Sequence, residues 1–200
     1  MVGLFYGYYS LVVYEIQAIY ITLFLWNRDL LTFYSCLTHL ISEILNIILK
    51  QILKHPRPNN GAPGGGLFEG RYGMPSQHCH CFAYSLTTVI LLTFHYYKRH
   101  ISLNKRIIIG TICSILLILQ VQGRIYLKFH TIEQCLVGVA FGAMSALIFY
   151  SLGQWYFMPY ADKLCRLAPL RWFYCRRDVI TRAPDSTVGP TITSSKLKNR

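Results

Sequence analysis

Apolar residues gather into five long runs, and polar residues collect in the gaps between them. The runs extend from Leu4 to Trp26, Leu30 to Leu53, Cys79 to Tyr97, Arg106 to Leu127 and Thr131 to Phe157. About 20 apolar residues wound as an α-helix cross the hydrocarbon of a bilayer, where a backbone lacking internal hydrogen bonds finds no partner. The pattern therefore predicts an all-α, polytopic membrane helix bundle with about five transmembrane helices. Residues 1–160 form the transmembrane domain in this reading. Residues 161–200 form a basic, peripheral, cytosolic tail that is partly disordered from about Pro184. The first run reads as a span and not as a cleaved leader, because it lacks a basic start and is too long.

Composition agrees: hydrophobic residues make up 53% of the chain and charged residues 14%. The mean hydropathy is +0.34, so a soluble core is excluded as the natural reading. The net charge of +12 raises the question of nucleic acid, but the distribution of charge answers it differently. Alternate loops of a five-span chain lie on opposite faces. Of the 20 Lys and Arg, fourteen fall on one face, among them Arg28, Lys98, Arg99, Lys105, Arg106 and the basic residues of the tail. Lys50, Lys54, Arg57, Arg71, Arg124 and Lys128 fall on the other. By the positive-inside rule the first face is cytosolic, and its charge serves orientation and anionic headgroups, with no nucleic-acid partner.

The remaining six cations border three short stretches: "KQILKHPRP" (Lys50 to Pro58), "MPSQH" (Met74 to His78) and "GRIYLKFH" (Gly123 to His130). All three lie at span ends on one face. Lys50, Arg57 and Arg124 offer fixed positive charge, and the planar fork of arginine suits phosphate oxygens. Ser76 precedes a span and can act as N-cap, with the first amides of that helix open to an anion. His78 and His130 titrate near neutrality. Two imidazoles among phosphate donors point to phosphoryl transfer through a phosphohistidine.

Lys50, six residues, Arg57-Pro58; then Pro75-Ser76-Gln77-His78; then Arg124, five residues, His130: in that order these motifs resemble those of the type-2 phosphatidic acid phosphatase superfamily. "YGMPSQH" and "GRIYLKFHTIEQ" narrow the resemblance to its dolichyldiphosphatase branch, over the first span through the fifth. The resemblance implies a metal-independent phosphatase without cofactor that acts on dolichyl diphosphate, a polyprenyl lipid, in the endoplasmic reticulum membrane with its active site facing the lumen. It implies that His130 attacks the terminal phosphorus and that His78 protonates the leaving oxygen and later activates water. Lys50, Arg57, Ser76 and Arg124 would then bind the phosphate, and the product would be dolichyl monophosphate and inorganic phosphate.

Two positions depart from the general superfamily pattern. Gly123 replaces a serine, and Gln134 stands where most members carry the aspartate that orients the nucleophilic histidine. A glutamine carbonyl can accept from the imidazole and fix its tautomer without adding negative charge. Gln134 also has a second reading, since Thr131 and Gln134 have the spacing of a capping box. Neighbouring Glu133 is a candidate substitute carboxylate, although adjacent helix positions point apart.

Glu43, inside the second run, is a costly residue in lipid and two helical turns from Lys50. It either steadies the motif lysine or approaches the site, or it is a protonated or water-linked glutamate packed between helices. "HCHC", His78 to Cys81, suggests a metal only superficially, because neighbouring side chains diverge on a helix. The seven cysteines read as small buried apolar residues. His39, His55, His95 and His100 read as packing or interfacial residues. Asn59 to Gly70 lacks the lysine and hydroxyl of a P-loop and reads as a flexible loop or lid. Gly138 and Gly142 allow close helix packing.

Overall fold

The computed structural model describes residues 2–58 and 72–167. The expected lid, Arg71 and the tail beyond residue 167 lie outside the described residues. Five long helices form where the runs predict them: α1 (Val2–Asn27), α2 (Leu30–Leu53), α3 (Gln77–Leu91), α4 (Leu103–Tyr126) and α5 (Ile132–Leu152). A π-helical turn, Leu92–Tyr96, extends α3. Another, Gly153–Phe157, extends α5 and leads through a 3-10 turn into the short α6 (Ala161–Leu164). No strand is present among the described residues, only an isolated bridge between Pro56 and Tyr72. Among the described residues three helical stretches, Leu30–Leu53, Leu103–Tyr126 and Ile132–Tyr160, are long and apolar enough to cross a membrane.

Local chemistry sets the helix ends. Arg28 takes a left-handed conformation, φ 52°, that reverses the chain between α1 and α2. Asp29 then caps α2, accepting from the Thr32 amide at 2.7 Å and the Thr32 hydroxyl at 2.8 Å. At the other end Lys54, φ 48°, closes α2 with its amide on the Lys50 carbonyl at 3.1 Å. The third apolar run is predicted to start at Cys79, but α3 begins at Gln77. Hydrophobicity alone misses its first turn, because that turn is polar.

α2 buries Ser35, Thr38, His39, Ser42, Asn46 and Lys50, which fall along one helical face, and exposes Ile44, Ile48 and Ile52. This arrangement inverts that of a water-soluble helix. Lipid accepts the apolar face, and polar side chains turn inward to find partners. α3 lies against α2, α4 and α5, with the closest approach to α5. A Cβ built on Gly138 would lie 2.6 Å from the Ser76 carbonyl oxygen, and one on Gly142 would lie 2.3 Å from that of His80. These glycines permit backbone contact between α3 and α5, as the sequence anticipates. At the end remote from the motifs, Leu30, Leu31, Met158 and Ala161 form an apolar cluster flanked by Phe33, Leu92, Tyr96 and Phe157.

Candidate active site

The ends of α2 and α4 and the starts of α3 and α5 meet at one end of the bundle. There Lys50, Arg57 and Arg124 are 5% exposed or less. Burying cations is costly unless each is met by an accepting or anionic group, so this end of the bundle favours such groups. Ser76, His78, His130 and Gln134 are buried beside the cations.

Gln134 joins the three motifs. Its Nε2 donates to the Pro56 carbonyl at 2.7 Å and lies 3.0 Å from His55 Nδ1. Its Oε1 lies 3.1 Å from His130 Nδ1 and accepts from the Thr131 amide at 3.3 Å. Its backbone carbonyl accepts from the Ser76 amide at 3.0 Å. Pro56 offers only an acceptor, so the amide nitrogen of Gln134 must face it. The amide oxygen then faces His130, whose Nδ1 must donate. The lone pair of a neutral His130 therefore sits on Nε2, as a nucleophile requires. The need to donate to Pro56 while accepting from His130 suits a glutamine at position 134. A carboxylate could orient His130, but it would turn an oxygen toward the Pro56 carbonyl.

Gln134 makes both of the contacts its position allows. The Thr131 hydroxyl accepts from the Gln134 amide at 3.3 Å, and the Gln134 side chain returns to the Thr131 amide, completing a capping box. The same carboxamide also holds His130. Glu133 is exposed, so it is not a substitute carboxylate.

His78 is set in the opposite sense. Arg124 Nη2 donates to His78 Nδ1 at 3.0 Å. A guanidinium cannot accept, so neutral His78 carries its proton on Nε2. Arg124 also lies over the Phe129 ring, 4.8 Å from its centroid. Ser76 occupies the N-cap position of α3, but its side chain makes no cap hydrogen bond. The expected side-chain cap is thus corrected, while the amides of Gln77, His78 and Cys79 begin the helix with no carbonyl of its own to satisfy them.

His55, read from sequence as a packing or interfacial residue, belongs to this site through Gln134. Gly73 is needed for the same reason: a Cβ there would fall 2.6 Å from the Gln134 amide. Its own amide donates to the His55 carbonyl at 2.7 Å and ties the first motif to the second. The first motif offers no spacing to Gln134 that reveals these contacts. They form only when α5 folds against the loop after α2.

His80 and Cys81 diverge as expected. Cys81 Sγ lies 3.3 Å from His39 Nε2, whereas His80 Nε2 lies 3.0 Å from Ser42 Oγ. His39, Glu43 and Cys81 bring possible metal-ligand atoms within 4.8 Å of one another. His39 is already held by Gln17 and Cys81, and Glu43 accepts from Gln77, so hydrogen bonding accounts for the cluster.

Three buried cations and two buried histidines thus share one end of a bundle whose helices are long and apolar enough to cross a membrane. Residues 31–158 match the PAP2 superfamily, and the chain belongs to it. Its relatives include "Dolichyldiphosphatase 1" of Dictyostelium discoideum, 30% identical over 178 residues, covering 87% of this chain and 75% of the relative. "Dolichyldiphosphatase" of Saccharomyces cerevisiae is 28% identical over 171 residues, covering 84% and 71%. The fold is similar to that of a PAP2-type phosphatidylglycerolphosphate phosphatase from Bacillus subtilis, with a TM-score of 0.61, 17% identity and coverage of 76% of this chain and 77% of that one.

Proposed function

We propose that this protein is a dolichyl diphosphate phosphatase. It hydrolyses the terminal phosphate of dolichyl diphosphate to give dolichyl monophosphate and inorganic phosphate. The observation that carries the reading is the fixed pair of tautomers: Gln134 leaves the His130 lone pair on Nε2, and Arg124 leaves the His78 proton on Nε2. Binding phosphate would need only the cations. The lipid is supported by the relatives, whose names specify a dolichyl diphosphatase.

Lys50, Arg57 and Arg124, with the Ser76 hydroxyl and the first amides of α3, hold the phosphoryl oxygens and offset charge in the transition state. As the phosphate draws Arg124 away from Nδ1, His78 can take a second proton. His130 Nε2 then bonds to phosphorus while the bond to the leaving oxygen breaks, and His78 gives that oxygen its proton. Neutral His78 next takes a proton from water, whose oxygen attacks the phosphohistidine and breaks the N–P bond. The product leaves as inorganic phosphate.

The site faces the lumen of the endoplasmic reticulum in this reading. Lys98 and Arg99, just before α4, and Lys105 and Arg106, in its first turn, gather at the opposite end of the bundle. Dolichyl diphosphate is left on the lumenal leaflet once its glycan has been transferred, and hydrolysis there returns the carrier for reuse. Acceptor sequons placed in lengthened loops test the orientation: glycosylation between residues 59 and 70 supports it, and glycosylation only between residues 98 and 106 overturns it.

The activity test is phosphate release by purified protein in detergent with EDTA present throughout. Dolichyl diphosphate, farnesyl diphosphate, dolichyl monophosphate and phosphatidate are compared. Preferential release from the first supports the assignment. Preference for another prenyl diphosphate or for phosphatidate changes the substrate, and binding without release from any of them reduces the protein to a lipid-phosphate binder.

A further inference from the structure

Glu43 lies in the membrane-embedded part of α2, two turns from Lys50, yet the structure directs it to α3. Its Oε2 accepts from Gln77 Nε2 at 2.8 Å, and its Oε1 lies 3.5 Å from His80 Nδ1. His80 is fully buried, and its ring stacks on Phe141 with centroids 5.2 Å apart. Ser42 holds the other ring nitrogen at 3.0 Å. Gln77 and His80 are three residues apart, on one face of the first turn of α3. His78 lies between them in sequence and projects from another face, where it meets Arg124.

We infer that Glu43 is a positioning residue for His78: by holding Gln77 and His80 it fixes the first turn of α3, and with it the direction of the His78 imidazole. The inference rests on the roles of His78 and His130 proposed above. The same face of α2 carries Lys50 two turns further on, so one rigid helix locates both a phosphate-binding cation and the acid–base histidine. Gly138 backs this turn of α3 at the Ser76 carbonyl, and Gly142 does so at the His80 carbonyl. The turn is thus seated from two sides. A residue serving the fold alone would not need a carboxylate here, because an apolar side chain of similar size is tolerated in a membrane interior at lower cost.

The test compares Glu43→Met, Glu43→Gln and Gln77→Met in full-length protein. Glu43→Met fills the space but cannot hold α3. Its kcat should fall by about 100-fold, the order expected for a misplacement near 1 Å, with KM within about threefold. Labelled phosphoenzyme on His130 should accumulate, because the hydrolysis assigned to His78 slows. Gln77→Met breaks the same hydrogen bond from the other helix and should show the same division between kcat and KM. It gives the answer should Glu43→Met not fold. Glu43→Gln can accept from Gln77 and donate to His80, and should recover turnover to within about tenfold of wild type. Wild-type kcat in both methionine variants overturns the inference, as does loss of kcat in proportion to loss of folded protein with no recovery in Glu43→Gln.

Vanadate and inorganic phosphate binding separate this inference from the assignment of function. Vanadate, which mimics the five-coordinate transition state, should bind Glu43→Met about tenfold or more weakly, and phosphate should bind it unchanged. Equal loss for both anions, or for neither, overturns the inference. That result is obtained whether or not the wild-type protein releases phosphate from dolichyl diphosphate, while failure of release alone refutes only the functional reading.

Discussion

The two ends of the helix bundle are built on opposite terms. At the motif end, helix termini and left-handed turns bring Lys50, Arg57, Arg124, His78 and His130 into a buried polar site. At the other end, Leu30, Leu31, Met158 and Ala161 pack as an apolar cluster, and the buried carboxylate beside them, Asp29, caps α2. α2 reaches both ends, and α3 and α5 reach the second through their π-helical extensions. The first gives up packing for chemistry, and the second supplies packing that the chemistry does not touch. Substitutions at the two ends should therefore separate, one group acting on turnover and the other on stability.

The largest effect is expected at the nucleophile. His130→Ala should lower turnover by more than about a thousandfold and remove covalent labelling. His78→Ala should be slow but retain labelled phosphoenzyme. Full activity in His130→Ala, measured as phosphate release, would sink the mechanism. Gln134→Glu comes next. It keeps an acceptor for His130 but places a carboxylate oxygen against the Pro56 carbonyl. We expect kcat to fall by about 100-fold and stability by about 2 kcal/mol, from a buried acceptor left facing another acceptor. Wild-type kinetics and melting in Gln134→Glu would show that the amide donor is dispensable.

A paired comparison tests the separation itself. Gly142→Ala places a Cβ 2.3 Å from the His80 carbonyl and must shift α3. It should cost about 1–3 kcal/mol and lower kcat as well. Leu31→Ala, at the other end, should cost about 2 kcal/mol with kcat unchanged in the folded fraction. Equal losses of kcat would abolish the distinction between the ends. The smallest effect is expected from Thr131→Val, which removes one cap hydrogen bond worth about 1 kcal/mol. Because Pro56 still holds Gln134, turnover should change by less than about threefold. A drop comparable to that of Gln134→Glu would make the cap, and not Pro56, the support of position 134.

The helices were legible because lipid leaves few alternatives for a long apolar run, and the observed range of α2 matches the predicted one. The start of α3 was not, since Gln77 and His78 are polar and helical at once. Six of the seven proposed site residues were visible in three motifs, with Gln134 four positions past the last, and the structure buries all seven at one end. What sequence could not supply is the reason for Gln134. Its decisive partner is a backbone carbonyl 78 residues away, and no side-chain pattern marks a carbonyl. Glu43 is visible as an anomaly, but no spacing links it to Gln77 on the next helix.

The glycines of α5 have a consequence beyond packing. Because Gly138 and Gly142 seat the backbone of α3 directly on α5, the helix that carries His78 and the helix whose start holds His130 move as one body. A bilayer thicker or thinner than the hydrophobic length of the bundle is accommodated by tilt or by local thinning of lipid. Such adjustments rotate the pair together and leave the separation of the imidazoles unchanged. Membrane thickness can alter how deeply the pocket sits below the headgroups, and so how readily a diphosphate enters, without altering the geometry that acts on it once inside.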